Sequence, residues 1–252
     1  MFKKWNVRCD FRRYDILDIK GNKSNTKHNI MILMLCTSNY DHVCNNSIHQ
    51  VSTYSKIHNY KFKVFRNKLN DNLHINFSKF EMVKQAMISY PEIEYFVMLD
   101  ADVIFTSYDL TIESLIYNYS NNPNAKCFAP VDTLHGLITP YFSIAIYNTS
   151  INAGLMIWRR DASDLLQKYL YVAEHTKCGT KYNNSHPRNQ NVWDICFRHI
   201  LNNDDMAQIP WELAGVSNSK VIYQNHKKSD FKIQHSNIDD ILKHSNNDIM
   251  FV

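Results

Sequence analysis

The segment Tyr95-Phe96-Val97-Met98-Leu99-Asp100-Ala101-Asp102-Val103-Ile104-Phe105 constrains this chain more than any other. An apolar run of five reads as a strand buried on both faces, as in a parallel sheet. It then meets two acids and resumes as an apolar stretch. Carboxylates beside a hydrophobic strand are expensive unless something pairs with them. In α/β sheets, ligand sites sit just beyond the carboxyl ends of strands. Two positions apart in an extended segment, Asp100 and Asp102 would leave the chain on the same side. Two hard oxygen donors so placed suit Mn²⁺ or Mg²⁺ bridging a diphosphate. The bland reading is that the acids cap a turn or a helix, and a bare D-x-D carries little weight. The flanking apolar runs are what favour the metal reading.

The rest of the chain supplies a frame for that strand. Ile30-Met31-Ile32-Leu33-Met34-Leu35 is a second continuous apolar run and reads as another buried strand. A helix over 46–58 follows, then an alternating strand at 61–65. Ser78-Lys79-Phe80-Glu81 has the pattern of a capping box opening a helix, with an apolar stripe of Phe80, Val83 and Met87 and an end at Pro91. A helix over 109–119, strands at 126–130, 142–147 and 153–158, and helices at 162–175 and 190–201 complete the pattern. Alternating strands and helices followed by antiparallel-looking pieces predict an α/β sandwich with a mixed sheet flanked by helices. At 252 residues, without repeat or linker, one domain over 29–252 behind a polar, basic leader over 1–28 is the economical division. The leader's Lys3, Lys4, Arg8, Arg12 and Arg13 read as a solvated face.

The net charge of +4 suits a protein that handles phosphates and is too weak to argue for nucleic acid. No apolar stretch approaches the ~20 residues of a membrane helix, and the opening MFKKWNVRCDFRR lacks the apolar core of a signal peptide. The chain as given reads as soluble and intracellular, although a membrane-anchored parent is compatible with it. Of the six cysteines, Cys36 and Cys196 read as reduced core residues, and a disulfide framework is not expected in a chain with a core of this size.

The stretch from Tyr90 to Phe105 resembles the D-x-D region of GT-A glycosyltransferases, whose fold is Rossmann-like. The nearest resemblance is to the galactosyl/mannosyl/xylosyltransferase family of fungal mannan and galactomannan synthesis and plant xyloglucan synthesis. In that family a helix ending in a Tyr-Pro-like turn leads into the acidic strand. Three further segments match in order over about residues 29–237. Ile151-Asn152-Ala153-Gly154-Leu155-Met156-Ile157 resembles the family's Asn-x-Gly strand, which lines donor sugar and acceptor. Arg188-Asn189-Gln190-Asn191 falls where the family opens a helix with an acid-Gln pair. Asp230-Phe231-Lys232-Ile233-Gln234-His235 resembles the late strand ending in the histidine that supplies a third metal ligand.

The resemblance implies a metal-dependent transferase that moves a sugar from a UDP- or GDP-sugar donor to a glycan hydroxyl with retention. Asp100, Asp102 and His235 would hold Mn²⁺ or Mg²⁺. Thr37, Ser38 and Tyr40 would contact base and ribose, and Asn152 and Gly154 the sugar. Asp102, Asn189 and Gln190 would act at the reacting centre. Lys79 reads either as a phosphate contact or as a solvated lysine, His235 and Gly154 also have ordinary structural readings, and Trp193 and Trp211 read as core residues or sugar platforms. Asn189 replaces the family's acid, which bears on transition-state stabilisation and on the choice of sugar. Two alternatives stay open: a non-catalytic nucleotide- or sugar-binding protein of the same fold, and a haloacid-dehalogenase-like phosphatase with Asp100 as nucleophile. Against the latter, such a motif normally begins its domain, and Val103-Ile104 replaces its usual Gly-Thr.

Overall fold

Hydrophobic alternation on two central strands organises the structure, a computed structural model. It describes residues 28–105, 107–130, 151–185, 188–202 and 204–209, together with the backbone of short strands at 214–215, 222–224 and 250–251. Strand β1 (Ile30–Leu35) sends Ile30, Ile32 and Met34 to one face and Met31 and Leu33 to the other. Strand β3 (Tyr95–Leu99) divides likewise, with Tyr95, Val97 and Leu99 opposite Phe96 and Met98. All five of its residues are buried. Burying a side chain of this size contributes ~1.5–3 kcal/mol, so a one-residue slip of either strand would exchange both cores.

Helix α1 (Asp41–His58) covers one face through Cys44, Ile48, Val51 and Tyr54. Helices α2 (Ile75–Ser89) and α3 (Ser163–His175) cover the other. Between these layers runs a seven-stranded sheet in the order β10-β2-β1-β3-β6-β5-β7. It comprises β2 (Lys61–Phe65), β5 (Cys127–Pro130), β6 (Leu155–Arg159), β7 (Met206–Ile209) and β10 (Met250–Phe251) besides the central pair. β1 pairs in parallel with β2 and β3, and β6 runs antiparallel between β3 and β5. A smaller sheet joins β4 (Val103–Phe105), β9 (Ile222–Gln224) and β8 (Ala214–Gly215). The mixed sheet flanked by helices is the expected fold class.

Most expected elements are present within a few residues, and the departures have identifiable causes. α2 begins three residues before the expected capping box, because the His74 imidazole accepts from the Asn76 amide and serves as N-cap. Ser78 thus lies inside the helix, where its hydroxyl accepts from the Leu69 amide at 3.0 Å. The segment after β4 turns helical only at Ile112, where the Thr111 side chain caps Ser114. The expected strand at 142–147, the basic leader and Trp211 lie outside the described residues. Trp193 is fully buried against Trp158, Tyr169 and Phe197, which makes it a core residue.

The cysteines require a correction. Cys36 is bonded to Cys44 and Cys178 to Cys196. The 3₁₀ turn Ser38–Tyr40 folds the chain back after β1, so the first turn of α1 returns Cys44 to within 6.0 Å of Cys36, Cα to Cα. α4 (Lys177–Asn183) packs on the helical stretch Val192–Phe197 and brings the second pair to 5.8 Å. α4 can lie that close to α3 because residue 179 is glycine, where an added Cβ would meet the Val172 carbonyl at 2.0 Å. Burial of Cys36 and Cys196 was correctly expected; their partners were not.

Two side chains join layers in ways that can be measured. The Arg160 guanidinium donates to the carbonyls of Ile93 (2.6 Å), Met87 (3.0 Å) and Tyr90, closing the C-terminal end of α2 over the entry to β3. Charged hydrogen bonds of this kind contribute ~1.5–3 kcal/mol each at most, with non-additive losses. Arg160→Ala is therefore expected to lower stability by ~2–4 kcal/mol, seen as a reduced urea midpoint at unchanged slope. His58 packs on Tyr54 and Tyr60 with Nε2 2.8 Å from the Tyr108 carbonyl. Burial lowers its pKa from the ordinary 6.5 against the opposing pull of the Tyr108 carbonyl, Glu113 and Asp109. The unfolded chain then binds this proton more readily, so the histidine's contribution erodes as pH falls below about 6.5. Replacing His58 by Gln should flatten the stability profile below about pH 6.5 relative to the parent, as followed by chemical denaturation.

Candidate functional site

Strand directions gather the candidate residues on one edge. Met34 lies opposite Leu99, and Leu99 opposite Leu155. The chain leaving β1, the chain leaving β3 and the chain entering the antiparallel β6 therefore meet at the carboxyl edge of the parallel strands. β5 ends there too, since Pro130 accepts the Asn152 amide at 2.8 Å. This is where an α/β sheet places its ligands.

Asp100 and Asp102 occupy a tight turn between β3 and β4, closed by the Val103 amide on the Asp100 carbonyl at 3.2 Å. The extended spacing expected for the two acids is thus replaced by a turn, because the chain must reverse into the second sheet. The Asp100 amide donates to the Gly154 carbonyl at 2.8 Å, which joins the acidic turn to the Asn-x-Gly segment.

Lys79 anchors this junction from beneath. It lies in the second turn of α2, facing inward, and is 5% exposed. Its ammonium donates to Asp100 Oδ1 at 2.5 Å and to the Ala153 carbonyl at 2.7 Å. A buried ammonium needs such partners, and neither sequence reading of Lys79 anticipated it as a buried brace. Asn152 is also buried, and its Oδ1 accepts the Gly154 amide at 2.7 Å, which stiffens the strand entry. Gln190 donates from Nε2 to the Ile151 carbonyl at 2.8 Å. Its neighbour Asn189 accepts the Tyr169 hydroxyl on its carbonyl at 2.8 Å. Lys79, Asp100, Asn152, Gly154, Asn189 and Gln190 therefore form one connected group.

Thr37, Ser38 and Tyr40 lie on the same edge, on the β1 side. Their 3₁₀ turn is closed by the Tyr40 amide on the Thr37 carbonyl at 2.8 Å, and the Tyr40 ring is 56% exposed. Sequence reasoning missed the support beneath it: Arg66, leaving β2, pairs with Asp41 at 2.5 Å. Position just after a strand end was the signal available for Arg66. His235 lies outside the described residues, and among those described no group of three His, Cys, Asp or Glu is placed to hold a metal ion. The donor chemistry of the acidic turn still fits a hard divalent cation, given that a nucleotide diphosphate supplies further oxygens.

Comparison with solved structures bears on this arrangement. A glycosyltransferase involved in glycosylation of the major capsid protein of the virus PBCV-1 superimposes with a TM-score of 0.58 at 18% identity, covering 80% of this chain and 94% of that one. It shares the fold. Drosophila β1,4-galactosyltransferase 7, solved as a mutant with manganese, UDP-Gal and xylobiose, aligns with a TM-score of 0.45 at 11% identity over 88% of this chain and 82% of that one. No curated protein sequence matches. The fold is therefore the one seen in GT-A glycosyltransferases. Within that class, residues 26–124 match the galactosyl transferase GMA12/MNN10 family, a segment running from β1 through the acidic turn.

The Lys79 junction yields a direct test. Lys79→Met removes the buried ammonium from beside Asp100 and from the Ala153 carbonyl. Because the Asp100 side chain is 28% exposed, the expected loss is ~1–3 kcal/mol, below that of a fully buried pair. Asp100→Asn added to Lys79→Met should recover part of the loss, and a double-mutant cycle in urea would measure the coupling.

Proposed function

We propose that this chain transfers a sugar from a UDP- or GDP-sugar to a hydroxyl of a glycan, with Mn²⁺ or Mg²⁺ at the acidic turn and with retention of configuration. The observation that carries the reading is the junction of Asp100 with Lys79 and the Ala153–Gly154 backbone at the carboxyl edge of the sheet. A carboxylate held there by a buried ammonium is positioned before any ligand arrives, which is how charged sites avoid reorganising during reaction.

Asp100, Asp102 and His235 would hold the cation, which when bound acts as a Lewis acid toward the diphosphate. Lys79 sets the charge and orientation of Asp100. Tyr40 offers an exposed ring to the base, with Thr37 and Ser38 beside the ribose. Asn152 and Gly154 shape the floor under the sugar. Gln190, tied to the Ile151 carbonyl, and Asn189 would serve the reacting carbon. In a retaining transfer the bond from C1 to the diphosphate oxygen breaks and the acceptor oxygen forms its bond on the same face, its proton passing to the departing diphosphate. The chain's part is to bind, orient and exclude water. Residues 29–252 would form this one catalytic domain, and no helix among the described residues is long and apolar enough to cross a membrane.

Release of UDP or GDP from a panel of nucleotide sugars decides the matter. Turnover is expected with Mn²⁺ and should be removed by chelation. Asp102→Ala is expected to lower it by ~10²-fold or more at unchanged thermal stability. Equal turnover by Asp102→Ala would dismiss the acidic turn as the metal site, and hydrolysis of simple aryl phosphates requiring Asp100 would favour the phosphatase alternative.

A further inference from the structure

Two hydrogen-bond donors beside the site have no acceptor among the described residues. Asn189 is 3% exposed, and its Nδ2 has no partner. Nε of the preceding Arg188 is likewise buried and unpartnered. Native folds leave few such groups, because an unmet buried donor is costly and a charged one more so. Arg188 adds backbone strain, with φ 46° and ψ −98° on a residue that carries a Cβ. Strain and orphaned donors together mark a place completed by a ligand.

The position of these donors is well defined. Gln190 ties the segment to the Ile151 carbonyl, two residues before the Ala153 carbonyl that holds Lys79. The Tyr169 hydroxyl grips the Asn189 carbonyl from the core side, so the backbone at 189 is fixed from both directions. The surroundings are positive. Behind the effect of burial, Arg188 and Lys68 both press the nearby His74 imidazole toward its neutral form. Of the two acids of this edge, Asp100 is paired with Lys79.

An edge of a guanidinium and an amide N–H₂ are both donors, and the group that satisfies them is an oxyanion. Resting on the nucleotide-sugar reading above, we propose that Arg188 and Asn189 form a carboxylate-binding corner that selects a hexuronic acid as the sugar carried by the donor. The sugar carboxylate accepts from Arg188 Nε and Asn189 Nδ2. An acid at position 189 would repel that group; an amide donates to it.

The diphosphate is the other anion a donor brings, and bare nucleotide separates the two. Binding of the full chain in Mn²⁺ would be measured by calorimetry for UDP, GDP, UDP-glucose, UDP-glucuronate, GDP-mannose and GDP-mannuronate. The result expected is an affinity for the uronate at least ~10-fold above that for the neutral sugar on the same nucleotide, a difference typical of a charge-assisted pair. Asn189→Asp, nearly isosteric, should abolish or invert that ratio, Arg188→Ala should reduce it, and both should leave the bare nucleotide unchanged. Equal affinity for uronate and neutral sugar overturns the inference, as does a ratio that survives both variants. Loss of bare-nucleotide binding in the variants, as large as the loss for the uronate, assigns the corner to the diphosphate and overturns it too. Failure of any nucleotide to bind the parent chain defeats the nucleotide-sugar reading itself, and this inference with it.

Discussion

A single ammonium group, that of Lys79, connects the layers on which the site depends. It rises from a helix packed beneath the sheet, touches a carboxylate at the end of β3 and a carbonyl at the start of β6, and is almost wholly withdrawn from water. Such a charge is stable only while both oxygens stay in place. The reverse dependence holds as well: the acidic turn keeps its position because the ammonium and the Gly154 carbonyl hold it on two sides. Helix, turn and strand entry are thus mutually fixed, and a shift in one is felt by the others.

Much of this was readable from residue order because the central strands are buried on both faces. Apolar runs at 30–35 and 95–99 have few ways to fold, and position at a strand's end gave the acids and the segment at 37–40 their place on the site edge. The stripe Phe80, Val83 and Met87 likewise gave α2 its buried side. What stayed hidden depends on contacts between distant residues. Lys79 looks solvated in sequence, since nothing local reveals that Asp100 and Ala153 will enclose it. Cys36 and Cys196 read as core thiols because burial is local in pattern whereas pairing is not. His74 displaced the expected capping box through one imidazole nitrogen, a role that sequence preference assigns more readily to serine.

The site edge also shows a division of labour between rigid and unfinished parts. From β1 to the Asn152–Gly154 entry, the named polar side chains are braced by neighbours: Arg66 on Asp41, Asn152 on the Gly154 amide, Lys79 on Asp100. At Arg188 and Asn189 the bracing stops, and the backbone itself is strained. Charge is thus preorganised on one side of the edge, and donors are left unmet on the other.

The two sulfur bridges carry a practical consequence for anyone handling the protein. The thiol left unbridged among the described residues, Cys127, is fully buried, and burial pushes its pKa up, so it is a poor nucleophile that needs no protection from air. Dithiothreitol added by habit would have little to guard there. The Cys36–Cys44 link, which encloses the turn carrying Tyr40, is as withdrawn from water as Cys127, whereas the Cys178–Cys196 link beyond Gln190 has one partly exposed half, Cys178. A reducing purification buffer would therefore act first on the link at the Gln190 end of the edge, leaving the link beneath Tyr40 and the sheet between them whole.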